Sequence, residues 1–460
     1  MSIVKGYCVP HPPLIIPAIG DGLEKDISKT VEAYENIAKE IAGIKPDTII
    51  ISSPHMTMYG DYFHISPGEK AEGSFHSFHH DEIKFSVQYD TELRDAIIRQ
   101  ISTLDFPAGT HGEKEHELDH GTMIPLYFIN KYYKDFKIIR IGLSGLSMID
   151  HYKLGKIIRS VLPRKQKVVW IASGDLSHKL KEDGPYGYAE EGPAFDREVT
   201  KILSDGNFYE LLKLKPDFYH KASECGLGSF SMMAGSFDGY LVDSKLYSYE
   251  GPFGVGYAVA SFKPTRYSDN REFARTFKER EDRQFRNKRI EEDEYVKLAR
   301  ASLEYYVNNH HELAIPKDAS KELLKNKAGV FVSLHINNSL RGCIGTISSS
   351  TNSIAEEIIQ NAISAGTRDY RFNKVRANEL ERLEYCVDVL KPATPINSKE
   401  ELNVKKYGLI VKCGHKSGLL LPNIDGIETI DEQIRIAKRK AGISENDEFS
   451  MERFEVIRHH

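Results

Sequence analysis

The chain predicts an α/β fold in its first half, a mainly parallel sheet flanked by helices, followed by a separate α+β domain. Three observations carry that expectation. Apolar runs of strand length alternate with segments of helical periodicity over residues 1–262, the pattern of parallel strands joined by helices. A charge-dense stretch, Arg266 through Glu294, then breaks the aliphatic pattern. Beyond it, apolar runs come in hairpin-like pairs. We therefore expect one domain over 1–264, a charged linker over 265–289 and a second domain over 290–460. The length of 460 residues agrees, because one core rarely serves so long a chain.

Each element has its own signal. Leu23, Ile27, Val31, Tyr34, Ile37, Ala38 and Ile41 recur at helical spacing and predict a helix over 23–41. Lys45-Pro46-Asp47 ends it, and 48–51 reads as a buried strand leading to Ser52-Ser53-Pro54-His55. Strands are expected again over 137–143 and 167–172, with a helix over 151–162 between them. The second of these strands runs straight into Ser173-Gly174-Asp175. Residues 254–262 form the last strand of the domain. In the charged stretch the signs are balanced, and pairs such as Glu279 and Arg283 at i,i+4 favour a solvated, partly helical connector. The second domain begins with a helix through Tyr295, Leu298, Ala299, Ser302, Leu303 and Tyr306. Strands follow over 329–336 and 340–346 around an Asn337-Asn338 turn, then a helix over 353–365 and a strand over 383–390. A hairpin over 407–412 and 417–422 and a helix over 429–441 complete it.

Composition narrows the function classes. A net charge of −5 gives no general attraction to nucleic acid or to an anionic membrane. No signal peptide and no apolar run approaching about 18 residues is present, so a cytoplasmic protein is expected. Cys8, Cys225, Cys343, Cys386 and Cys413 form no CxxC, which argues against a disulfide framework or a thiolate zinc site. His459-His460 could be a tag remnant and is left out of the functional argument.

The chemistry is carried by short motifs far apart in sequence: Pro10-His11-Pro12-Pro13, Ser53-Pro54-His55, Leu118-Asp119-His120-Gly121, Ser173 through His178, and Ser223-Glu224-Cys225-Gly226. Two histidines and a carboxylate are a donor set that binds ferrous iron on one face and leaves the other face open. Further histidines remain for proton transfer. Spacing this long implies a site assembled from strand ends, and His55 and His178 follow the carboxyl ends of predicted strands, where open α/β sheets place ligands. Each residue also has a plainer role. His11 could be a rigid turn residue and His55 a hydrogen-bonded structural histidine. Glu224 could sit at a helix start facing the positive end of the dipole, and Asp175 or Ser177 could cap a helix. His116 and His120 stand at i,i+4 without the glutamate of an HExxH pair. His76, His79 and His80 read as an exposed or site-flanking loop, and Cys225 as small packing. The glycines after Glu224 lack the pattern of a phosphate loop.

In their joint order these motifs resemble the class III extradiol ring-cleavage dioxygenases with the LigB-like catalytic fold, over residues 1–262. The resemblance implies Fe(II), or another divalent metal, held by His11, His55 and Glu224, with His178 as acid/base and His120 facing the substrate. It implies a catechol-like aromatic substrate and O2 as reactants. The fold is also similar to Memo-type proteins, so a metal-binding protein or a non-oxygenase metal enzyme stays open. Residues 290–458 resemble the AMMECR1 domain through Leu340-Arg341-Gly342-Cys343-Ile344-Gly345, Asp369-Tyr370-Arg371-Phe372 (the commoner form is D-P-R-F) and Ser417 to Pro422. The fusion resembles the A-type proteins of the AmmeMemoRadiSam system, whose name implies Memo-like and radical SAM partners. Homo-oligomerisation is left open. Around Arg341 we expect a ligand or partner surface, or else a structural pair with Asp369; Cys343 reads as a structural thiol.

Overall fold

The computed structural model describes residues 3–114, 117–336, 339–424, 426–445 and 447–460, so His116 and the Asn337-Asn338 turn lie outside the described residues. The chain divides into two compact units, Met1–Arg280 and Glu281–His460.

In the first unit the elements are β1 (Ile3–Val9), α1 (Ser28–Ile44), β2 (Thr48–Ser53), β3 (Lys70–Phe75), β4 (His80–Gln88), α2 (Thr91–Thr103) and α3 (His120–Ile129). They continue with β5 (Lys137–Gly142), α4 (Met148–Ser160), β6 (Val168–Ser173), α5 (Glu191–Asp205), α6 (Leu227–Gly235), β7 (Tyr240–Glu250) and β8 (Tyr257–Tyr267). Six strands make one sheet in the order β5-β2-β6-β1-β8-β7. The first four are mutually parallel, and β8 runs antiparallel to both β1 and β7. Every residue of β2 and β6 is buried, as expected for strands covered on both faces. One face packs Ile50, Ile139 and Trp170 against α4, α5 and α6; the other packs Ile49, Ile51 and Ile171 against α1 and α3. The hairpin of β3 and β4 stands outside this sheet and carries His76 and Phe78 at its turn.

One detail differs from expectation here. Residues Leu23–Ile27 form a 3-10 turn and α1 begins at Ser28, because Gly22 is left-handed (φ 101°) and exposed Leu23 contributes nothing to the buried stripe. The charged stretch, expected as a partly helical connector, is largely one helix: β8 runs on to Tyr267, and α7 spans Phe273–Glu291. Ion pairs of Arg275 with Glu272 and Glu279 support the first turns of this polar helix.

The second unit contains α8 (Glu294–Asn309), β9 (Val330–Ile336), β10 (Ser339–Gly345), α9 (Ile354–Thr367), β11 (Glu384–Leu390) and β12 (Thr394–Ile396). It ends with β13 (Gly408–Cys413), β14 (Lys416–Leu420), α10 (Ile430–Ala441), β15 (Ser450–Phe454) and β16 (Val456–His459). Two four-stranded sheets, β10-β9-β11-β16 and β12-β15-β13-β14, give an α+β organisation. His459 belongs to that fold and is no appendage: it pairs with Val387 and stacks on Tyr295 at 3.9 Å between ring centroids. Arg341 makes a bidentate pair with Glu379 (2.8 and 3.1 Å), not with Asp369, whose carboxylate takes Arg371 and the Cys343 N–H instead. Cys343 Sγ accepts from the Ser333 hydroxyl at 3.2 Å. All five cysteines are free. No helix among the described residues is long and apolar enough to cross a membrane.

Candidate metal centre

The carboxyl ends of the parallel strands β1, β2 and β6 deliver His11, His55 and Ser173 to one edge of the sheet, each within two residues of its strand's end. His11 follows β1 in a Pro-flanked turn, and Tyr34 donates from α1 to the Pro10 carbonyl, which holds that turn down. The His11 N–H donates to Asp175 Oδ1 (2.8 Å), and His11 Nδ1 shares a hydrogen bond with Ser173 Oγ (3.0 Å). With Nδ1 engaged, Nε2 points to the cluster and lies 2.9 Å from His55 Nε2.

His120 opens α3, whose N-cap is Asp119. Its ring centroid lies 3.9 Å from that of His55 and 5.4 Å from that of His11. One ligand nitrogen from each of the three imidazoles falls within 4.8 Å of the other two. A second group meeting the same limit is His11, Asp175 and Cys225. Gly174 and Gly226 make this close approach feasible, because a Cβ on Gly174 would lie 2.1 Å from the Gly226 Cα.

Glu224 lies on the turn before α6. Its Oε2 accepts the Leu227 N–H at 2.6 Å, so the carboxylate faces the helix start. His178 stacks on Tyr186 at 5.0 Å, and its buried Nε2 has no hydrogen-bond partner among the described residues. Of the expected residues, the structure brings His11, His55 and His120 into ligand distance of one another. Glu224 is placed at the helix start and His178 beside Tyr186.

The electrostatics follow from burial. Desolvation holds His11 well below its ordinary pKa, lowers His55 and His178, and brings His120 down to about 3 with help from the neighbouring His55 and His11. Neutral imidazoles are the form that binds a metal. The same burial pushes Glu224 up to about 7 and Asp175 up to about 6. A divalent cation favours the ionised form of both carboxyls, so the donor chemistry fits a bound metal.

Outside the histidines a cleft of about 500 Å³ is lined by His55, His120, Phe78, His76, Met123 and Arg140, among others. The Phe78 ring stands edge-on to His120 at 5.7 Å. Ser173 and Asp119 stood within the sequence motifs without a role of their own, and Arg140 and Phe78 were not singled out. For Arg140 a signal was there, a cation inside the apolar run of β5.

Residues 5–260 match the family model described as the catalytic LigB subunit of aromatic ring-opening dioxygenase. The chain belongs to the LigB family. Residues 296–459 match AMMECR1, so this LigB chain is a two-domain fusion. A protein of Clostridium acetobutylicum is 42% identical over 100% of this chain and 99% of its own length. A protein of Thermotoga maritima is 45% identical over 37% of this chain and 99% of its own. The 2-aminophenol 1,6-dioxygenase beta subunit of a Pseudomonas species is 24% identical over 57% of this chain and 94% of that subunit. The LigB half is thus related to ring-opening dioxygenases.

Proposed function

We propose that the LigB half is a non-haem Fe(II)-dependent dioxygenase of the extradiol type, opening a catechol-like ring beside its hydroxyls. The observation that carries this is the juxtaposition of His11 and His55 Nε2 at 2.9 Å, at strand ends and beside the cleft. His11 and His55 would hold the iron together with Glu224, whose carboxylate is shared with the start of α6. Bound there, ferrous iron supplies Lewis acidity and an electron path between ring and oxygen. The protein does the rest. The cleft lined by Phe78, His55 and His120 would admit a flat ring. His178 Nε2 takes a hydroxyl proton as the substrate binds, holds it in a desolvated setting and returns it on ring opening. His120 hydrogen-bonds a substrate oxygen. We place this chemistry in the cytoplasm.

A second possibility has an observation of its own. The His11, His55 and His120 trio is an all-imidazole donor set, which suits a non-redox Lewis acid such as zinc. It favours a Memo-like metal-binding protein or a non-oxygenase metal enzyme, with the AMMECR1 half engaging a radical SAM partner. The test is anaerobic loading of the full chain with ferrous iron, followed by oxygen uptake with catechol and 2-aminophenol. Uptake that disappears in His55→Ala and Glu224→Ala, along with their metal, supports the dioxygenase. Turnover under strict anaerobiosis, or unchanged metal stoichiometry in both variants, would overturn it.

A further inference from the structure

A buried ion pair lies between the two histidine-bearing segments. Arg140 sits on β5, paired in register with Ile51 of β2, and its side chain is fully buried. Its Nη2 donates to Asp119 Oδ2 (3.1 Å), while Nη1 donates to the Tyr89 hydroxyl and the Glu117 carbonyl (3.2 Å each). Asp119 is the hub. Its Oδ1 accepts from the Ser53 hydroxyl (2.5 Å) and from the Thr122 N–H (3.0 Å), and its Oδ2 also accepts from the Thr122 hydroxyl (2.7 Å). Ser53 in turn accepts the His55 N–H at 3.2 Å. Gly121 completes the joint, since a Cβ there would lie 2.4 Å from Ser53 Oγ and 3.4 Å from the His55 ring.

We infer that Arg140 and Asp119 are positioning residues for the metal site, setting the separation of His55 and His120. The inference rests on the proposal that these histidines surround a metal. Stability alone gives little reason for such a pair, because removing two charges from water offsets most of their attraction, and apolar replacements often serve as well. Geometry gives a reason. Through one carboxylate, Asp119 joins the turn that carries His55 to the helix that His120 opens, and Arg140 ties that carboxylate to the central sheet. Asp119 also places a buried negative charge beside three imidazoles that must accept a cation.

The experiment loads the full chain with Co(II), a spectroscopic stand-in for iron, and reads affinity by calorimetry and site geometry from the visible ligand-field bands. The double variant Asp119→Asn/Arg140→Met removes both charges together, so no unpaired buried ion is left, and Asn keeps the helix cap. We expect it to unfold cooperatively, to bind Co(II) about 10–100-fold more weakly and to show shifted bands. Ser53→Ala leaves the ion pair intact and cuts only the link to His55; it should shift the bands in the same direction even if the double variant folds poorly. Arg140→Lys, which keeps a paired cation, should recover part of the affinity. Wild-type affinity and bands in both the double variant and Ser53→Ala overturn the positioning role while leaving the metal site standing. Failure of the wild-type chain to bind Co(II) overturns the metal proposal, and this inference with it.

Discussion

Replacing Gly155 with alanine sets two effects against each other, and the structure decides between them. On propensity alone, alanine in a helix interior is better than glycine by about 1 kcal/mol. Gly155, however, lies where α4 crosses α6, and a Cβ there would stand 1.8 Å from the Met232 carbonyl oxygen. Gly235 makes the reciprocal contact, its Cβ falling 1.8 Å from the Tyr152 carbonyl oxygen. Both obstacles are backbone, so no rotamer change relieves them, and the helices must part by about an ångström. Overpacking of this kind costs about 1–3 kcal/mol or more, which outweighs the propensity gain. The displacement also reaches the site, because α6 holds Ser229 against Ser52 (2.6 Å between hydroxyl oxygens) and begins beside Glu224. Gly43 is the control: it lies at an exposed position of α1 with nothing near its Cβ position. In thermal unfolding of the full chain, Gly155→Ala should lower the first unit's Tm by roughly 3–10 °C, while Gly43→Ala leaves it unchanged or raised. Co(II) affinity should fall in Gly155→Ala only. Equal stabilisation by both substitutions would refute the reasoning.

His178→Ala should retain metal binding and lose turnover on the order of 10²–10⁴, measured by steady-state kinetics against metal stoichiometry; loss of the metal itself would make His178 a ligand. In the AMMECR1 half, hydrogen bonding from Arg371 holds Asp369 down at about 2. A depressed carboxyl contributes stability that is present above its ordinary pKa and lost as pH falls through the folded value. Asp369→Asn should therefore cost about 1 kcal/mol at neutral pH, a modest figure because the Arg371 side chain is 45% exposed, and the gap should close between about pH 4 and pH 2. A gap independent of pH in urea titrations would assign the loss to the Cys343 N–H contact instead. A fragment ending at 280 should unfold more cooperatively than one ending at 264, because the shorter one cuts β8 and loses Phe273 from the core it joins.

How much of this was legible in sequence depended on how local the signal was. The strands β2 and β6 are buried on both faces, so their continuous apolar runs announced them. The strand β1 did not, because Lys5 and Gly6 interrupt it, yet it sits in the sheet and carries His11 to the site. Gly6 is there because a Cβ would lie 2.7 Å from Met233 Sδ, a contact with a helix more than two hundred residues away. The edge strand β7 alternates exposed and half-buried positions too weakly to stand out. Among the site residues, the histidines could be singled out because imidazole after a strand end is informative by itself. Asp119 could not, since a cap before a helix looks the same whether or not it also grips Ser53 and Arg140.

Glu224 shows the same limit from the opposite side. Sequence allowed it to be a metal ligand or a helix-start carboxylate, and its Oε2 does sit on the Leu227 amide. The two roles are compatible in energy. Burial raises this carboxyl to about 7, so the helix start alone does not keep it fully ionised near neutrality. A divalent cation nearby favours the anion, and Asp175, raised to about 6 by its own burial, responds in the same sense. Metal binding should accordingly release protons near neutral pH, with Glu224 the larger source. Calorimetry of Co(II) binding in buffers of different ionisation enthalpy measures that release directly. Wild-type release in Glu224→Gln would remove the carboxylate from the metal and leave the three imidazoles as the donor set.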